Sequence, residues 1–245
     1  MNATVTQWRT EVSLSLRQGE QMLVSLGIPV LILVFFSLVD VLPVRPADSA
    51  SAHAVDALFP SVLALAIMAT AMVSLGIGTG FERHHRVLKR LGATPLGRPR
   101  LIAAKTATVL SIELVQLVVL VPVAGALGWR PGGQVVLVLA AYVVGTAAFA
   151  GIGLLLAGTL DGVLNLAVNN AVFVLLLLFG GIIIPADRLP GPLASIAHVL
   201  PSSALAEVLR GAMVPGAPAA GTAWLILAVW AVAAPVLAAR LFRWE

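Results

Sequence analysis

Six apolar stretches, approximately residues 22–42, 57–80, 101–127, 134–158, 164–184 and 221–241, dominate this chain. The hydrocarbon core of a bilayer is about 30 Å thick, so a helix needs about 20 apolar residues to cross it. In lipid a backbone must satisfy its own N–H and C=O groups, and repeated runs of this length therefore point to a helical bundle. Composition agrees. Of 245 residues 11% are charged and 60% hydrophobic, whereas a soluble domain carries about 25% charged residues. The expected fold is all-α and integral to a membrane, with six transmembrane helices in a single domain, 1–245.

Six spans place both termini on one side, and Lys and Arg say which. With the N-terminus cytoplasmic, that side holds Arg9, Arg17, Arg83, Arg86, Lys89, Arg90, Arg98, Arg100, Lys105, Arg240 and Arg243. The outer side holds only Arg45, Arg130, Arg188 and Arg210. Eleven against four favours N-in, C-in. The net charge of +4 raises nucleic acid as a candidate partner. That is set aside, because the charge flanks apolar spans without an aromatic-basic surface. The partner it implies is the lipid bilayer. The polar start MNATVTQWRTEVSLSLRQGE lacks the apolar core of a signal peptide, so the first run is expected to be kept as an anchor. Heavy use of Ala, Val, Leu, Gly and Arg with two Lys points to a GC-rich bacterial genome.

Within residues 1–20, Val5, Trp8, Val12 and Leu16 recur at helical spacing. That stripe predicts a helix lying in the interface, with Trp8 at headgroup depth. The loop FERHHRVLKRLGATPLGRPRLIAAK, residues 81–105, carries seven of the fifteen basic residues. Phe81, Leu88 and Leu91 fall on one helical stripe and Arg83, Arg86 and Arg90 on another. Gly92 is a helix stop and Thr94-Pro95 turns the chain out of helix. Residues 82–91 are therefore expected to form a short amphipathic cytoplasmic helix. A plain positive-inside anchor is the simpler alternative.

Residues 180–221 follow the fifth span yet stay apolar, and Pro185, Pro190, Pro192 and Pro201 interrupt them. A pair of short helices over 185–210, dipping into the outer leaflet and returning, fits this better than a solvated loop or a full span.

Chemistry is sparse. No Gly precedes Lys, so the chain has no P-loop, and HExxH and GxSxG are also missing. Adjacent His84 and His85 point to different helix faces; His53 and His198 lack acids at ligand spacing. No metal site and no catalytic residue are expected. Without cysteine there are no disulfides and no thiolate ligands. Glu113 is the one acid deep in a span, where burying a charge costs roughly 3 kcal/mol. It is either a polar point on a translocation or proton path, or a protonated glutamic acid joining helices, with Gln116 as a local hydrogen-bond partner. Asn169 and Asn170 invite the same two readings, and Asn165 sits at the cytoplasmic start of its span.

Two motifs carry a resemblance. Glu82-Arg83, Leu88-Lys89-Arg90-Leu91, Ala93-Thr94-Pro95-Leu96 and Arg98 follow the second span. Gly180-Gly181, Ile184-Pro185, Leu189-Pro190, Leu200-Pro201 and Glu207 to Arg210 precede the last. In this order the chain resembles the membrane subunits of ABC-2 type transporters, exporter permeases that include the daunorubicin-resistance class. The resemblance implies two membrane chains, alike or related, bound to two separate ATPase subunits that hold ATP and Mg. It implies that Glu82, Arg83, Arg86, Leu88, Lys89, Arg90 and Leu91 form a coupling helix on the ATPase. It also implies that Gly181, Pro185, Pro190, Pro201, Glu207 and Arg210 belong to the re-entrant segment. Where the family often has Gly-Thr, this chain has Arg86-Val87, and His84 and Lys89 replace common acids. The cargo expected is a small amphiphilic or lipidic compound; a lipid or polysaccharide exporter, a proton-coupled carrier using Glu113 and a non-transporting complex subunit are the alternatives.

Overall fold

The structure is a computed structural model that describes residues 3–17, 19–39, 54–92, 97–130, 134–182, 190–218 and 220–243. Of the described residues 88% are helical, and none is in a strand. α1 is Ala3–Arg17, α2 Gly19–Leu38, α3 Ala54–Met68 and α4 Leu75–His84, the last two joined by a π-helical segment, Ala69–Ser74. Then follow α5 (Val87–Gly92), α6 (Arg98–Ala126), α7 (Val135–Thr159), α8 (Gly162–Phe179), α9 (Pro192–Val199), α10 (Pro201–Met213) and α11 (Gly221–Leu241).

Among the described residues five helices are long and apolar enough to cross a membrane: Ala54–His84, Arg98–Ala126, Val135–Thr159, Gly162–Phe179 and Gly221–Leu241. A sixth is reached if α9 and α10, bent by 75°, count as one broken span. The sequence places its first span at 22–42, but the apolar part of α2 is shorter, Ser25–Leu38. At 1.5 Å per residue that is about 21 Å. Residues 40–53 lie outside the described ones.

The interior is built on α7. Its small residues let other helices come to backbone distance, the packing that lipid favours. A Cβ on Gly151 would lie 2.5 Å from the Pro235 ring of α11, and one on Gly153 2.5 Å from the Met72 carbonyl of the π segment. Around this axis Phe59, Leu63, Ile67, Met68, Met72, Phe149, Leu205 and Leu209 form one apolar core. The exterior is apolar where that of a water-soluble protein is polar, and several polar side chains lie inside. Thr70, Glu113, Gln116, Thr146, Asn165 and Asn169 are buried, while Leu31, Val118, Val136, Val163 and Leu225 are exposed. This is the arrangement that a hydrocarbon surrounding selects.

Candidate functional site

The basic loop does not fold as one helix over 82–91. Glu82, Arg83 and His84 finish α4, His85 closes it with φ −83° and ψ 10°, and α5 begins at Val87. Between them Arg86 stands at φ +59°. Left-handed backbone costs an L-residue roughly 1–2 kcal/mol, which is why glycine is the usual occupant. Arg86 thus stands in a glycine's place in conformation. The break re-aims the chain, so that α5 buries Leu88 completely and exposes Val87, Lys89 and Arg90. Leu91 closes the apolar stripe in sequence; its side chain lies outside the described ones.

Arg83 fixes this turn to the bundle. Its Nη1 donates to the carbonyls of Ala157 at 3.0 Å and Leu160 at 3.2 Å, covering the C-terminal end of α7 where carbonyls lack helical partners. Its Nη2 lies 3.8 Å from Asp161 Oδ1, an exposed carboxylate. Together with Gly80, His84, Arg86, Lys89 and Gly162, this pair borders a groove of about 310 Å³ between α5 and the start of α8.

One turn inward, Lys105 Nζ of α6 meets Glu82 Oε2 at 2.8 Å, Glu82 Oε1 at 3.1 Å and Glu11 Oε1 at 3.2 Å. Trp8 Nε1 donates to Ser111 Oγ at 3.1 Å. The N-terminal helix is therefore bound to α6 and, through Lys105, to the end of α4. None of these pairs is local in sequence.

The intramembrane polar residues sort into two outcomes. Thr146 Oγ1 of α7 donates to Glu113 Oε2. Gln116 does not bond Glu113; its Nε2 donates to the Ser25 carbonyl at 3.0 Å and to Thr70 Oγ1 at 3.1 Å, joining α2, the π segment and α6. Asn169 is buried and its Nδ2 donates to Asn165 Oδ1 at 2.6 Å. Asn165 Nδ2 in turn donates to the Gly76 carbonyl at 2.9 Å. Asn170 is exposed and bonds only the Leu166 carbonyl of its own helix, at 2.9 Å. Asn165, read from sequence as a boundary residue, is the one that holds α8 to α4. A Cβ on Gly80 would fall 2.1 Å from its Nδ2, and that glycine was the available sequence signal.

At the opposite end, α9 and α10 meet at Leu200, whose extended backbone is what a following proline, Pro201, enforces. α10 is buried along most of its length. Arg210 Nη2 donates to the Gly181 carbonyl at 3.1 Å, and Gly181 takes φ +69°. Glu207 Oε1 accepts from Ser203 Oγ at 3.3 Å and lies 3.6 Å from His198 Nδ1. Pro190 is exposed just before α9; Pro185 lies outside the described residues. No group of three or more His, Asp or Glu able to hold a metal occurs among the described residues.

An apolar exterior, five or six apolar helices among the described residues and a basic turn at one end define a multi-pass membrane protein. The family model of the ABC-2 type transporter matches residues 3–214, and the chain belongs to that family. It is therefore a membrane subunit of an ABC transporter, a permease whose partner is an ABC ATPase. No curated protein matches it significantly.

Proposed function

We propose that this chain is the permease of an ATP-driven exporter for small amphiphilic or lipidic, drug-like compounds, with both termini cytoplasmic in a bacterial plasma membrane. The observation that carries this is the break at Arg86. It gives α5 a buried anchor, Leu88, and an exposed basic face, Arg86, Lys89 and Arg90, at the end of a helix that Arg83 pins to α7. A contact made there moves α4, and α4 continues through the π segment into α3. π-helical turns inside α-helices are frequent at functional sites.

ATP and Mg bind on a separate ATPase, two copies per transporter, and a second permease chain completes the path. α2 serves as the first span, and α9–α10 forms the outer re-entrant pair beside which the path opens. Short connections outside suit a small cargo better than a polymer. For Glu113 the Thr146 hydrogen bond between α6 and α7 favours a role in joining helices over a proton relay, which needs a chain of polar partners.

The basic face predicts an acidic receiving groove on the ATPase. The test is mild purification of the tagged chain from its own membranes at low salt. A P-loop ATPase should copurify with the native chain and be lost from the double variant Arg86→Glu, Arg90→Glu. Equal recovery with both would refute the docking face.

A further inference from the structure

α1 has one face that is tied to the bundle and one that is not. On the first, Trp8 Nε1 donates to Ser111 Oγ at 3.1 Å, and Glu11 Oε1 meets Lys105 Nζ at 3.2 Å and accepts from Gln7 Nε2 at 2.7 Å. Thr6, Arg9, Thr10, Ser13 and Arg17 are exposed on the other. At 3.6 residues per turn these five fall within an arc of about 100°. Glu11 is the only acid between Ala3 and Arg17, and it lies on the opposite side of the helix. Among the described residues neither Arg9 nor Arg17 makes an ion pair or a hydrogen bond. The free face therefore carries two uncompensated positive charges beside three hydroxyls.

Its depth is set by α6, because the two ties span the point where that helix changes character. Lys105, at one tie, belongs to the ion cluster with Glu82. Beyond Ser111, at the other, Leu114, Val115 and Val118 are 42%, 39% and 72% exposed. An apolar exterior that begins there marks the edge of the hydrocarbon, and charged groups one to two turns away mark the headgroup layer. Arg9 lies between Trp8 and Glu11 and so stands in that layer. Arg17 is eight residues farther on, about 12 Å along the helix. Trp8, Arg9, Val12, Ser13 and Arg17 border one open groove. By helical position the arginines and Ser13 form one side of it, and Trp8 and Val12 the other.

A guanidinium pairs with phosphate oxygens through two parallel N–H bonds, and a hydroxyl donates to the same oxygens. A zwitterionic headgroup brings an ammonium that finds no acid on this face. We propose that the free face of α1 binds anionic phospholipid in preference to zwitterionic lipid. Arg9, Ser13 and Arg17 hold the phosphodiester, and the acyl chain starts along Trp8 and Val12. Each basic residue beside an anionic lipid surface strengthens association about fivefold, and two about 25-fold. The proposal is separate from the docking face on α5 and needs neither cargo nor ATPase.

The experiment is native mass spectrometry of the full chain in a nonionic detergent, titrated with dioleoyl phosphatidylglycerol or dioleoyl phosphatidylcholine, which share their acyl chains. The native chain should prefer the glycerol lipid, and the double variant Arg9→Gln, Arg17→Gln should reduce that preference about 25-fold. Lys89→Gln, Arg90→Gln on α5 should change it less than threefold. Both α1 arginines are exposed and unpaired, so the first variant should keep its melting temperature and its ATPase. Thr10→Glu keeps both arginines, adds an acid to the face and should lower the preference about fivefold. Equal binding of the two lipids by the native chain, or a preference that survives the α1 double variant, would overturn the proposal. So would an equal loss from the α5 variant. Loss of the ATPase from the α1 variant with its lipid preference unchanged would make the face a protein contact and overturn it as well. A native chain that shows the preference but recovers no ATPase supports the proposal and counts against the docking face alone.

Discussion

At the end of the bundle that carries α5, helices are tied by long side chains: Arg83 reaches two carbonyls around the end of α7, and Lys105 gathers Glu82 and Glu11 from two other helices. At the end that carries α9 and α10, Arg210 ties the Gly181 carbonyl in the same way, but the turn after α8 also lies against α10 with no space for a side chain. A Cβ on Gly180 would lie 1.8 Å from Ser202 Oγ. The first kind of joint can lengthen, tilt and re-form, because a guanidinium or ammonium keeps its partners over a range of positions. The second holds one geometry or none. A motor contact belongs on the compliant end, and the rigid end is suited to transmit a shift without absorbing it.

The sharpest way to break this contrast is Gly180→Ala. With no room beside Ser202, the substitution should cost about 3 kcal/mol and lower the yield and melting temperature of the chain in detergent. A near-neutral result would mean that the rigid end is not rigid. Next comes Lys105→Met, which removes the cation that α1 and α4 share. Because Glu11 and Glu82 keep access to water, a loss of about 2 kcal/mol is expected. Faster proteolysis within residues 3–17 should accompany it. Asn165→Leu deletes the α8–α4 hydrogen bond, and interhelical bonds of this kind contribute about 1 kcal/mol in membranes.

Arg86→Gly has the opposite sign. Relief of the left-handed strain, offset by the entropy of an added glycine, should stabilise the turn by up to about 1 kcal/mol. ATPase recovery should still fall, because a basic contact is gone. Stability and docking would thus move in opposite directions, which no purely structural role for Arg86 predicts. The smallest effect is expected of Glu113→Gln. The amide oxygen still accepts from Thr146, so melting should shift by less than the equivalent of about 0.5 kcal/mol and ATP-dependent efflux should persist. Loss of efflux would return Glu113 to a proton pathway.

Much of this was legible from residue order alone. Apolar runs gave α3, α4, α6, α7, α8 and α11, because lipid imposes a length that sequence cannot hide. Prolines at 192 and 201 marked the start of α9 and the bend into α10, since each restricts the residue before it. The break at Arg86 was not legible: an arginine gives no sign of a left-handed position, and only the family's glycine hinted at one. Nor was the partnership of Glu11 with Lys105 or of Gln116 with Ser25 and Thr70, pairs far apart in the chain that only the fold brings together. Helical spacing offered Gln116 to Glu113, but the nearest helix supplied Thr146 instead. The π segment left no trace in its residues, ATAMVS.

The most direct measurement places a photo-crosslinking residue at Lys89, exposed on α5, or at Leu193, exposed on α9, and irradiates the protein in its native membranes. The account predicts a P-loop ATPase among the adducts from position 89 and none from position 193. An ATPase captured from 193, or none from 89 while the transporter remains assembled, would contradict it.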